Sequence, residues 1–567
     1  MESRLHELAE ARWFLSKIQD EFRGGKISVE STHKLLEKLD FPCHFAHVKH
    51  IFKENDRQNQ GRISIEEFRA IYRYIVHREE ITEIFNTYTE NRKILSESSL
   101  IEFLTQEQYE MEIDHSESAE IIEKYEPIAE VKNERQMSIE GFARYMFSKE
   151  CLLFKEKCQT VYQDMNHPLN DYFISSSHNT YLLSDQILGP SDIWGYISAL
   201  VKGCRSLEID CWDGAQNEPI VYHGYTFTSK LLFKTVVQAI NKYAFVTSDY
   251  PVVLSLENHC SPGQQEVMAN ILQSTLGDFL LSDMLDEFPD SLPSPETRKL
   301  RIAMALSDLV IYTKAEKLRS FQYSRIYQQF NEINSIGESR ARKLSKLRVH
   351  EFIFHTATFI TRVYPKLMRA DSSNFNPQEF WNVGCQMVAL NFQTPGVPMD
   401  LQNGKFLDNG GSGYVLKPDI LRDTTLGFNP IEPEKDGHPI TLTIRLISGI
   451  QLPVSLPSNT PDISVIIEIY GVPNDRGKQQ TRVVKNNAFS PKWNETFTFL
   501  IQEPELALIR FAVETQQGFL SGSELLGQYT LPVLCMNKGY RRVPLLSKSG
   551  ANLEPSSLFI YVWYFRE

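Results

Sequence analysis

The sequence has no apolar stretch long enough to cross a membrane. A spanning helix needs a run of about 18 or more residues with few charges, and none occurs among the 567 residues. The first residues, Met-Glu-Ser-Arg-Leu-His-Glu, also lack the basic and then apolar pattern of a secretory signal. Any work at a membrane is therefore expected to be peripheral.

The chain also lacks paired cysteine motifs and an excess of basic residues. Its eight cysteines form no Cys-x-x-Cys pair and have no regular spacing, which favours reduced thiols in the cytosol. The net charge of -13 argues against a nucleic-acid binder. A local basic stretch from Arg340 to Arg348 either approaches anionic lipid or forms a solvated helix face, and the sequence leaves both open.

Helical periodicity with short polar breaks predicts an all-α domain over residues 1–150 and a linker over 151–163. Within this domain, one segment matches the EF-hand loop, with Asp at position one, Gly at six and Glu at twelve. Glutamines at positions three and five leave few carboxylates, so Ca²⁺ binding is expected to be weak, and a purely structural EF-hand is an equal alternative. The candidate ligand positions are Asp56, Gln58, Gln60, Arg62 and Glu67.

The middle and the end of the chain differ in the pattern of their apolar and polar residues. Strand-like runs alternate with longer amphipathic stretches over 164–305 and 306–421, which is the βα rhythm of a parallel sheet or barrel. A Pro-containing linker over 422–438 follows. From there, alternating runs with turn signals between them predict an antiparallel sandwich over 439–567. The predicted barrel strands include Phe173–Ser176, Leu207–Cys211, Val252–Leu256, Leu309–Tyr312 and Met387–Asn391.

Acid, amide and imidazole side chains stand at the ends of the first predicted strands. Side chains alternate across a strand, so Glu208 and Asp210 point to the same face. With Glu257 and the Asn179 amide they offer an all-oxygen site that suits Ca²⁺ or Mg²⁺. Two imidazoles, His178 and His223, add acid and base capacity near neutral pH. This combination indicates phosphodiester cleavage.

Each piece taken alone has an ordinary explanation. A lone Glu-x-Asp is more often a solvated face, and a lone histidine is more often a hydrogen-bonded core or surface residue. Several such pieces, each at the end of an apolar run, favour the functional interpretation. If the runs are parallel strands of one barrel, their carboxyl ends meet at the face that carries the active site in such barrels.

The order of EF-hand lobe, split barrel and sandwich resembles the eukaryotic phosphoinositide-specific phospholipases C over nearly the whole chain. The first barrel half carries Ser-Ser-His178-Asn179-Thr-Tyr-Leu and Gly-Cys-Arg-Ser-Leu-Glu208-Ile-Asp210-Cys-Trp-Asp-Gly. The second carries Ala370-Asp-Ser-Ser-Asn-Phe-Asn-Pro and Trp381-Asn-Val-Gly-Cys-Gln-Met-Val-Ala-Leu-Asn-Phe-Gln-Thr. The resemblance implies an EF-hand domain, a (β/α)8 barrel split into X and Y halves, and a C2 domain.

The resemblance implies Ca²⁺-dependent hydrolysis of phosphatidylinositol 4,5-bisphosphate to diacylglycerol and inositol 1,4,5-trisphosphate. Asn179, Glu208, Asp210 and Glu257 would hold the Ca²⁺, and Glu208 or Asp210 would act as base. His178 would stabilise charge on the phosphorus, and His223 would protonate the leaving oxygen. The positions that grip the ring phosphates or stack on the ring are Ser335, Arg362 and Tyr364.

The chain starts directly in the EF-hands, without the pleckstrin-homology domain of most members. This layout resembles the sperm form of the family, which is linked to intracellular Ca²⁺ release and egg activation. By the resemblance we expect a monomer that is cytoplasmic and peripheral at phosphoinositide-containing membranes, with a nuclear or perinuclear pool as an alternative, and no nucleic-acid partner.

The sequence departs from the family pattern where the two barrel halves join and in the C2 domain. The two lysine positions of the fourth barrel strand fall on Ala305 and Ser307, and the charged linker between the halves is missing. The junction is also too short for the usual crossover between parallel strands, so either Arg298 to Met304 replaces the fourth strand poorly or the barrel closes with a gap. In the C2 domain Asp462 stands without the expected Asp-x-Asp pair, which predicts Ca²⁺-independent packing or lipid contact, or a purely structural role.

Two other functions stay open at this level. The chain could be a catalytically impaired form that acts as a phosphoinositide-binding or interaction module, which predicts lipid binding without turnover. It could also be a phosphodiesterase for less phosphorylated lipids, which the missing lysines favour and Arg362 and Ser335 disfavour.

Overall fold

A computed structural model gives the fold of the protein and describes residues 2–89, 93–282, 304–432, 438–454, 461–516 and 522–566. The amino-terminal domain is a set of paired helices. Serine and aspartate caps begin several of them, as in the Ser64 and Glu67 capping box. The helices are α1 Glu2–Ile18, α2 Val29–Lys38, α3 Phe45–Asn55, α4 Ile65–Val76, α5 Glu79–Thr87, α6 Glu97–Gln106, α7 His115–Tyr125, α8 Ala129–Asn133 and α9 Ile139–Phe147, with strands β1 Ile94–Ser96 and β2 Gln136–Ser138.

The middle of the chain forms the barrel expected from the βα rhythm. Its strands are β3 Tyr172–Ser177, β4 Ser206–Trp212, β5 Ile220–Val221, β6 Leu231–Leu232, β7 Val253–Asn258, β8 Lys314–Glu316, β9 Glu332–Gly337, β10 Thr361–Tyr364, β11 Met387–Leu390 and β12 Tyr414–Leu416. Its helices are α10 Ile193–Val201, α11 Phe233–Tyr243, α12 Pro262–Leu276, α13 Met304–Ser307, α14 Phe321–Tyr327, α15 Glu338–Leu347, α16 Val349–Thr358, α17 Gln378–Trp381, α18 Val397–Lys405 and α19 Asp419–Arg422.

The parallel strands run in the order β7, β4, β3, β11, β10, β9, β8. Pairing of β11 with β3 joins the second half of the barrel to the first. Among the described residues no strand pairs with the free side of β7 or with that of β8. The central strand β3 is fully buried, whereas β7 and β8 are largely half-buried. In its described part the barrel therefore has an open edge where the family's fourth strand would lie.

The predicted strand Leu309–Tyr312 is wrong. The chain forms the short helix α13 and then a strand only at Lys314–Glu316. Leu309 packs instead against the apolar cluster of the first barrel half, which draws this segment towards the helices. Met304, the last residue of the proposed replacement strand, begins α13, while residues 298–303 lie outside the described residues.

The carboxy-terminal domain is the expected antiparallel sandwich, with the strand order β15, β14, β17, β18, β19, β20, β13, β16. It contacts both other domains. Ile447, Ile450 and Phe489 join the core of the EF-hand domain, while Val472 and Leu508 join that of the barrel. The strands are β13 Ile440–Ile450, β14 Ile463–Tyr470, β15 Gly477–Gln480, β16 Lys492–Ile501, β17 Leu508–Gln516, β18 Ser523–Pro532, β19 Gly539–Leu546 and β20 Asn552–Arg566.

Candidate active site

Three carboxylates meet at the carboxyl ends of β4 and β7. Glu208 and Asp210 share a face of β4, and the parallel register sets Asp210 beside Glu257 of β7. One oxygen from each of the three lies within 4.8 Å of the others. Glu208 and Asp210 are buried, but the Glu257 side chain is 56 % exposed because β7 is an edge strand.

Asn179 completes this group from the end of β3. Its backbone has a positive φ of 41°, a left-handed conformation that asparagine tolerates better than most residues. Its backbone N–H donates to Glu208 Oε2 at 2.9 Å, and its Nδ2 donates to Gln186 Oε1 at 2.7 Å. The carboxamide oxygen is then the remaining polar atom of this buried side chain.

The four residues suit a hard cation such as Ca²⁺. Asp210 Oδ2 accepts a hydrogen bond from the Tyr181 hydroxyl at 2.6 Å, while Asp210 Oδ1 is buried without any hydrogen-bond partner. An unpartnered buried carboxylate oxygen is costly unless a proton or a cation satisfies it. An all-oxygen donor set of carboxylates and a carboxamide is the one that Ca²⁺ prefers.

The two buried carboxyl groups differ in their electrostatic surroundings. Burial, together with repulsion from Glu208 and Glu257, raises the pKa of Asp210 well above its usual range. Burial also opposes ionisation of Glu208, but Arg362, His178 and the Asn179 N–H outweigh it and lower the pKa of this carboxyl. The positive charge of a bound cation would oppose both the cost of burial and this repulsion, and would favour the ionised form of Asp210.

Two imidazoles lie at this end of the barrel, and each has a hydrogen-bonding partner at its Nδ1. His178 Nδ1 is 2.9 Å from Asn391 Oδ1, and its Nε2 is 4.0 Å from Glu208 Oε2. Burial lowers the pKa of His178. His223 Nδ1 donates to the Gln186 carbonyl oxygen at 2.6 Å, because a carbonyl can only accept. Its Nε2 is thereby the nitrogen that exchanges a proton.

The predicted ring-binding residues come from neighbouring strands of the second half. The register pairs Arg362 of β10 with Ser335 of β9, and Arg362 Nη1 donates to Ser335 Oγ at 3.1 Å. The guanidinium lies over the Tyr364 ring, 5.5 Å from its centre. Its Nη2 is 2.8 Å from Glu208 Oε2, though poorly aligned for a hydrogen bond, and its Nε is buried without a partner. Arg362 thus carries donors that an anion could engage.

Sequence reasoning missed the residues that hold these groups in place. Gln186 donates through Nε2 to Ser372 Oγ at 2.8 Å and to Asn391 Oδ1 at 3.3 Å, besides its contacts to Asn179 and His223. Nothing in its loop sequence marks it. Asn391 follows β11 directly, and an amide at the end of an apolar strand is the same signal that marked the first-half residues.

Loops at this end of the barrel expose large apolar side chains. Tyr225, Phe227, Leu367 and Met368, here called the apolar rim, are each at least 83 % exposed. The loops that carry them are joined to the segment after β3, through a hydrogen bond from Phe227 N to Ile187 O and another from Gln186 N to Ala370 O. The apolar rim therefore borders the site.

The EF-hand loop has a different arrangement from a cation site. The Lys26 ammonium donates to Gln58 Oε1 at 2.7 Å and to Gln60 Oε1 at 3.0 Å. The Glu67 carboxylate accepts from the Ser64 N–H, as part of the helix cap. Asp56 accepts from the backbone of the same loop. These contacts favour the structural alternative that the sequence left open.

The structure also shows where the other residues that depart from the family pattern lie. Ala305 and Ser307, which stand where the family has lysines, lie on the one-turn helix α13 and not on a barrel strand. Asp462 in the C2 domain accepts from the Asn486 N–H at 3.1 Å. Among the described residues, Asp462 does not form a cluster with two or more other side chains that could bind a metal ion.

Comparison with known proteins agrees with this architecture. Family models match an EF-hand-like region of phosphoinositide-specific phospholipase C at residues 71–156, the X domain of phosphatidylinositol-specific phospholipase C at 165–306, its Y domain at 306–420, and a C2 domain at 440–545. The chain is 80 % identical to 1-phosphatidylinositol 4,5-bisphosphate phosphodiesterase zeta-1 of Mus musculus, with both proteins covered in full. The chain belongs to the phosphoinositide-specific phospholipases C.

Other relatives support the same family. The zeta-1 protein of Homo sapiens is 69 % identical over 98 % of this chain and 100 % of its own length. The delta-4 protein of Homo sapiens is 40 % identical over 96 % of this chain and 79 % of its own length. The crystal structure of PLC21 from L. pealei matches with a TM-score of 0.82 and 29 % identity, over 96 % of this chain and 76 % of that one.

This phospholipase C is shorter than its mouse relative. Their alignment runs over 647 positions against 567 residues here, a difference of 80. The X and Y models meet at residue 306, with no residues between them. The linker that the sequence pattern indicated as missing is therefore absent between the two matched domains. No helix in the described part of the chain is long and apolar enough to span a membrane.

Proposed function

We propose that this phospholipase C hydrolyses phosphatidylinositol 4,5-bisphosphate to diacylglycerol and inositol 1,4,5-trisphosphate in a Ca²⁺-dependent reaction. The observation that carries the proposal is the carboxylate group of Glu208, Asp210 and Glu257, with a buried unpartnered Asp210 oxygen and with His178 beside Glu208. The printed names of the zeta-1 relatives, which specify this lipid, support the choice of substrate.

Asn179, Glu208, Asp210 and Glu257 would hold the Ca²⁺. Bound there, it supplies positive charge that lowers the pKa of the inositol 2-hydroxyl. Glu208 or Asp210 then accepts the hydroxyl proton. Glu208 is the better placed for this role because its surroundings favour the ionised carboxylate.

The two histidines act on the phosphate. His178, close to Glu208 and fixed by Asn391, stabilises negative charge on the phosphoryl oxygens. His223 donates a proton from Nε2 to the departing diacylglycerol oxygen, since its Nδ1–H is held by the Gln186 carbonyl. A cyclic phosphodiester forms first, and water opens it with the same groups in reversed roles.

Ser335, Arg362 and Tyr364 bind the inositol ring. The guanidinium fork of Arg362 matches a ring phosphate, and its buried, unpartnered Nε is free to donate. Tyr364, under the guanidinium, offers an aromatic face for the ring.

The apolar rim rests on the membrane surface during the reaction. Aromatic and aliphatic side chains this exposed are unusual on a surface that stays in water. We infer a cytoplasmic protein that acts peripherally at phosphoinositide-containing membranes, in the setting of Ca²⁺ release and egg activation. Replacing all four rim residues with serine should lower turnover on vesicles much more than turnover of a soluble, short-chain substrate.

The test is release of inositol trisphosphate from vesicles that contain the bisphosphorylated lipid, across a Ca²⁺ titration. We expect Ca²⁺-dependent release that Asp210→Asn abolishes and that Asp278→Asn, an exposed position outside the group, leaves intact. Vesicles with phosphatidylinositol as the substrate measure head-group preference. Faster turnover of that lipid would replace the proposed substrate with a less phosphorylated one.

A second candidate is a lipid-binding module without turnover. The open barrel edge beside Glu257 and the absence of lysine at Ala305 and Ser307 favour it. A folded chain that binds the vesicles, and releases no inositol phosphate at any Ca²⁺ concentration, would support this candidate and overturn the catalytic proposal.

A further inference from the structure

Cys158, Asp408 and Cys535 form a second buried group of metal-ligating side chains, remote in sequence from the catalytic residues. One atom from each, the two Sγ atoms and a carboxylate oxygen, lies within 4.8 Å of the others. The three come from separate parts of the molecule: the linker, the loop after α18 of the barrel, and the C2 domain. We propose that these residues bind one zinc ion, which joins the three segments.

The ligand chemistry selects the class of metal. Thiolates are soft ligands that favour zinc and its spectroscopic substitutes over Ca²⁺ or Mg²⁺. Ligand atoms around a tetrahedral zinc lie about 3.3 to 3.8 Å apart, given bond lengths of about 2.0 to 2.3 Å. Separations of at most 4.8 Å between the ligand atoms exceed those in a zinc site by no more than about 1.5 Å.

Metal uptake would leave the net charge of this buried region unchanged. Each of the two thiols releases its proton as its sulfur binds zinc, so one Zn²⁺ replaces two H⁺. The Asp408 carboxylate supplies the third ligand. The buried Lys405 lies near Asp408 and Cys535, and its own burial lowers its pKa to about 7.

Surrounding contacts already orient the carboxylate. Asp408 Oδ1 accepts from the Asn409 N–H at 2.7 Å, and Oδ2 accepts from Gln163 Nε2 at 3.3 Å. Such outer contacts commonly fix metal-ligating groups. Tyr162, whose side chain is partly exposed, lies against Cys158 on the side where we expect the fourth ligand.

The backbones of the linker and the C2 domain pair directly beside the two cysteines. The Lys155 N–H donates to the Cys535 carbonyl oxygen at 2.9 Å, and Phe154 pairs with Met536 as an isolated antiparallel bridge. The two thiols are thus presented by backbones that already contact each other. A zinc ion would fasten the linker and the C2 domain to the base of the barrel.

The experiment titrates the full, reduced and chelator-treated chain with Co²⁺, followed by Zn²⁺. We expect one equivalent of Co²⁺ to give thiolate-to-metal absorption, which Zn²⁺ removes and Ca²⁺ does not. Cys158→Ser and Cys535→Ser should each weaken Co²⁺ binding at least tenfold. Cys43→Ser, a buried thiol of the EF-hand domain, is the matched control and should bind like the unsubstituted chain.

X-ray absorption on the zinc-loaded, unsubstituted chain keeps the test valid if a variant fails to fold. Two sulfur ligands at about 2.3 Å with a lighter third ligand would support the site. No thiolate absorption, or absorption retained in a Cys158→Ser and Cys535→Ser double variant, would overturn it. Isolation of the two residues only as a disulfide, with no metal binding after reduction, would overturn it as well. These readouts do not depend on catalytic activity.

Discussion

At the scale of single residues, the proposed catalytic group depends on buried contacts that each fix one polar atom. The Tyr181 hydroxyl holds one oxygen of Asp210, and the Gln186 carbonyl holds one nitrogen of His223. The second atom of each side chain is then available for a ligand or a proton. The positioning residues are as informative about the chemistry as the residues that would perform it.

The contact between Tyr181 and Asp210 predicts a loss of activity without loss of fold. Tyr181→Phe removes the donor but keeps the ring, and residues in this kind of supporting position commonly contribute a factor of roughly ten to a hundred. We expect a decrease of that size in turnover and a higher Ca²⁺ concentration for half-maximal activity. Tyr414→Phe loses a comparable buried hydrogen bond, to Pro251 O, away from the site. Equal losses in both variants would contradict the positioning role.

His355 predicts a stability change with pH. Burial among aromatic rings lowers its pKa to about 4, while the ring in the unfolded chain titrates near its ordinary value of about 6.5. Between these values the unfolded state binds more protons, so stability falls as the pH is lowered from 6.5 towards 4. The contribution is about 3 kcal/mol.

His355→Phe should flatten this decrease, because it replaces the imidazole with an apolar ring of similar size. Urea midpoints measured from pH 7 to pH 4 would show it. His115→Phe, at an exposed position, is the control. A variant whose stability decreases as steeply as that of the unsubstituted chain would assign the pH dependence to other groups.

At the scale of elements, the barrel differs most from a closed one at β7 and β8. A strand paired on one side exposes about half of its backbone N–H groups along the other. The same edge leaves Glu257 half in solvent, whereas its partner Asp210 on β4 is buried. Weaker enclosure of the proposed cation site is the functional consequence that we expect from this edge.

Amide hydrogen exchange should reveal the open edge directly. We expect amides of β7 and β8 to exchange faster than those of β11, which is paired on both sides, by an order of magnitude or more. Mass spectrometry of peptides after timed exchange would measure this. Equal protection of β7 and β11 would mean that another segment pairs with β7.

At the scale of the whole molecule, the C2 domain is the centre to which the other domains attach. Its contact with the barrel contains a buried ion triad, in which Arg510 donates to Asp400 at 2.9 Å and to Glu468 at 2.8 Å. Its contact with the EF-hand domain combines apolar packing with buried hydrogen bonds, such as the one from Arg78 to the Gly449 carbonyl oxygen. Changes at either interface should therefore affect two domains together.

Arg510→Met tests this coupling. Removing one partner from a buried charge group leaves the others uncompensated and should lower the free energy of unfolding by about 3 to 5 kcal/mol. Arg12→Met, which removes an exposed ion pair with Glu130, should change it by about 1 kcal/mol or less. Denaturant unfolding measures both. An Arg510→Met variant as stable as Arg12→Met would show that the triad does not hold the domains together.

The sequence by itself determined the order of the domains, the parallel character of the barrel, and the residues that gather at its carboxyl end. These follow from local periodicity, because alternation sets Glu208 and Asp210 on one face and parallel strands bring their ends together. The long motifs that identified the family are also local, because each lies within a short run of consecutive residues.

Only the tertiary structure decided which groups meet across the chain. In the folded chain, Lys26 donates a hydrogen bond to Gln58 of the EF-hand loop. Leu309 packs in an apolar cluster where a strand was predicted. Cys158, Asp408 and Cys535 lie close together. Such contacts join segments up to hundreds of residues apart. They depend on how whole domains pack, and no local pattern of residues encodes that geometry.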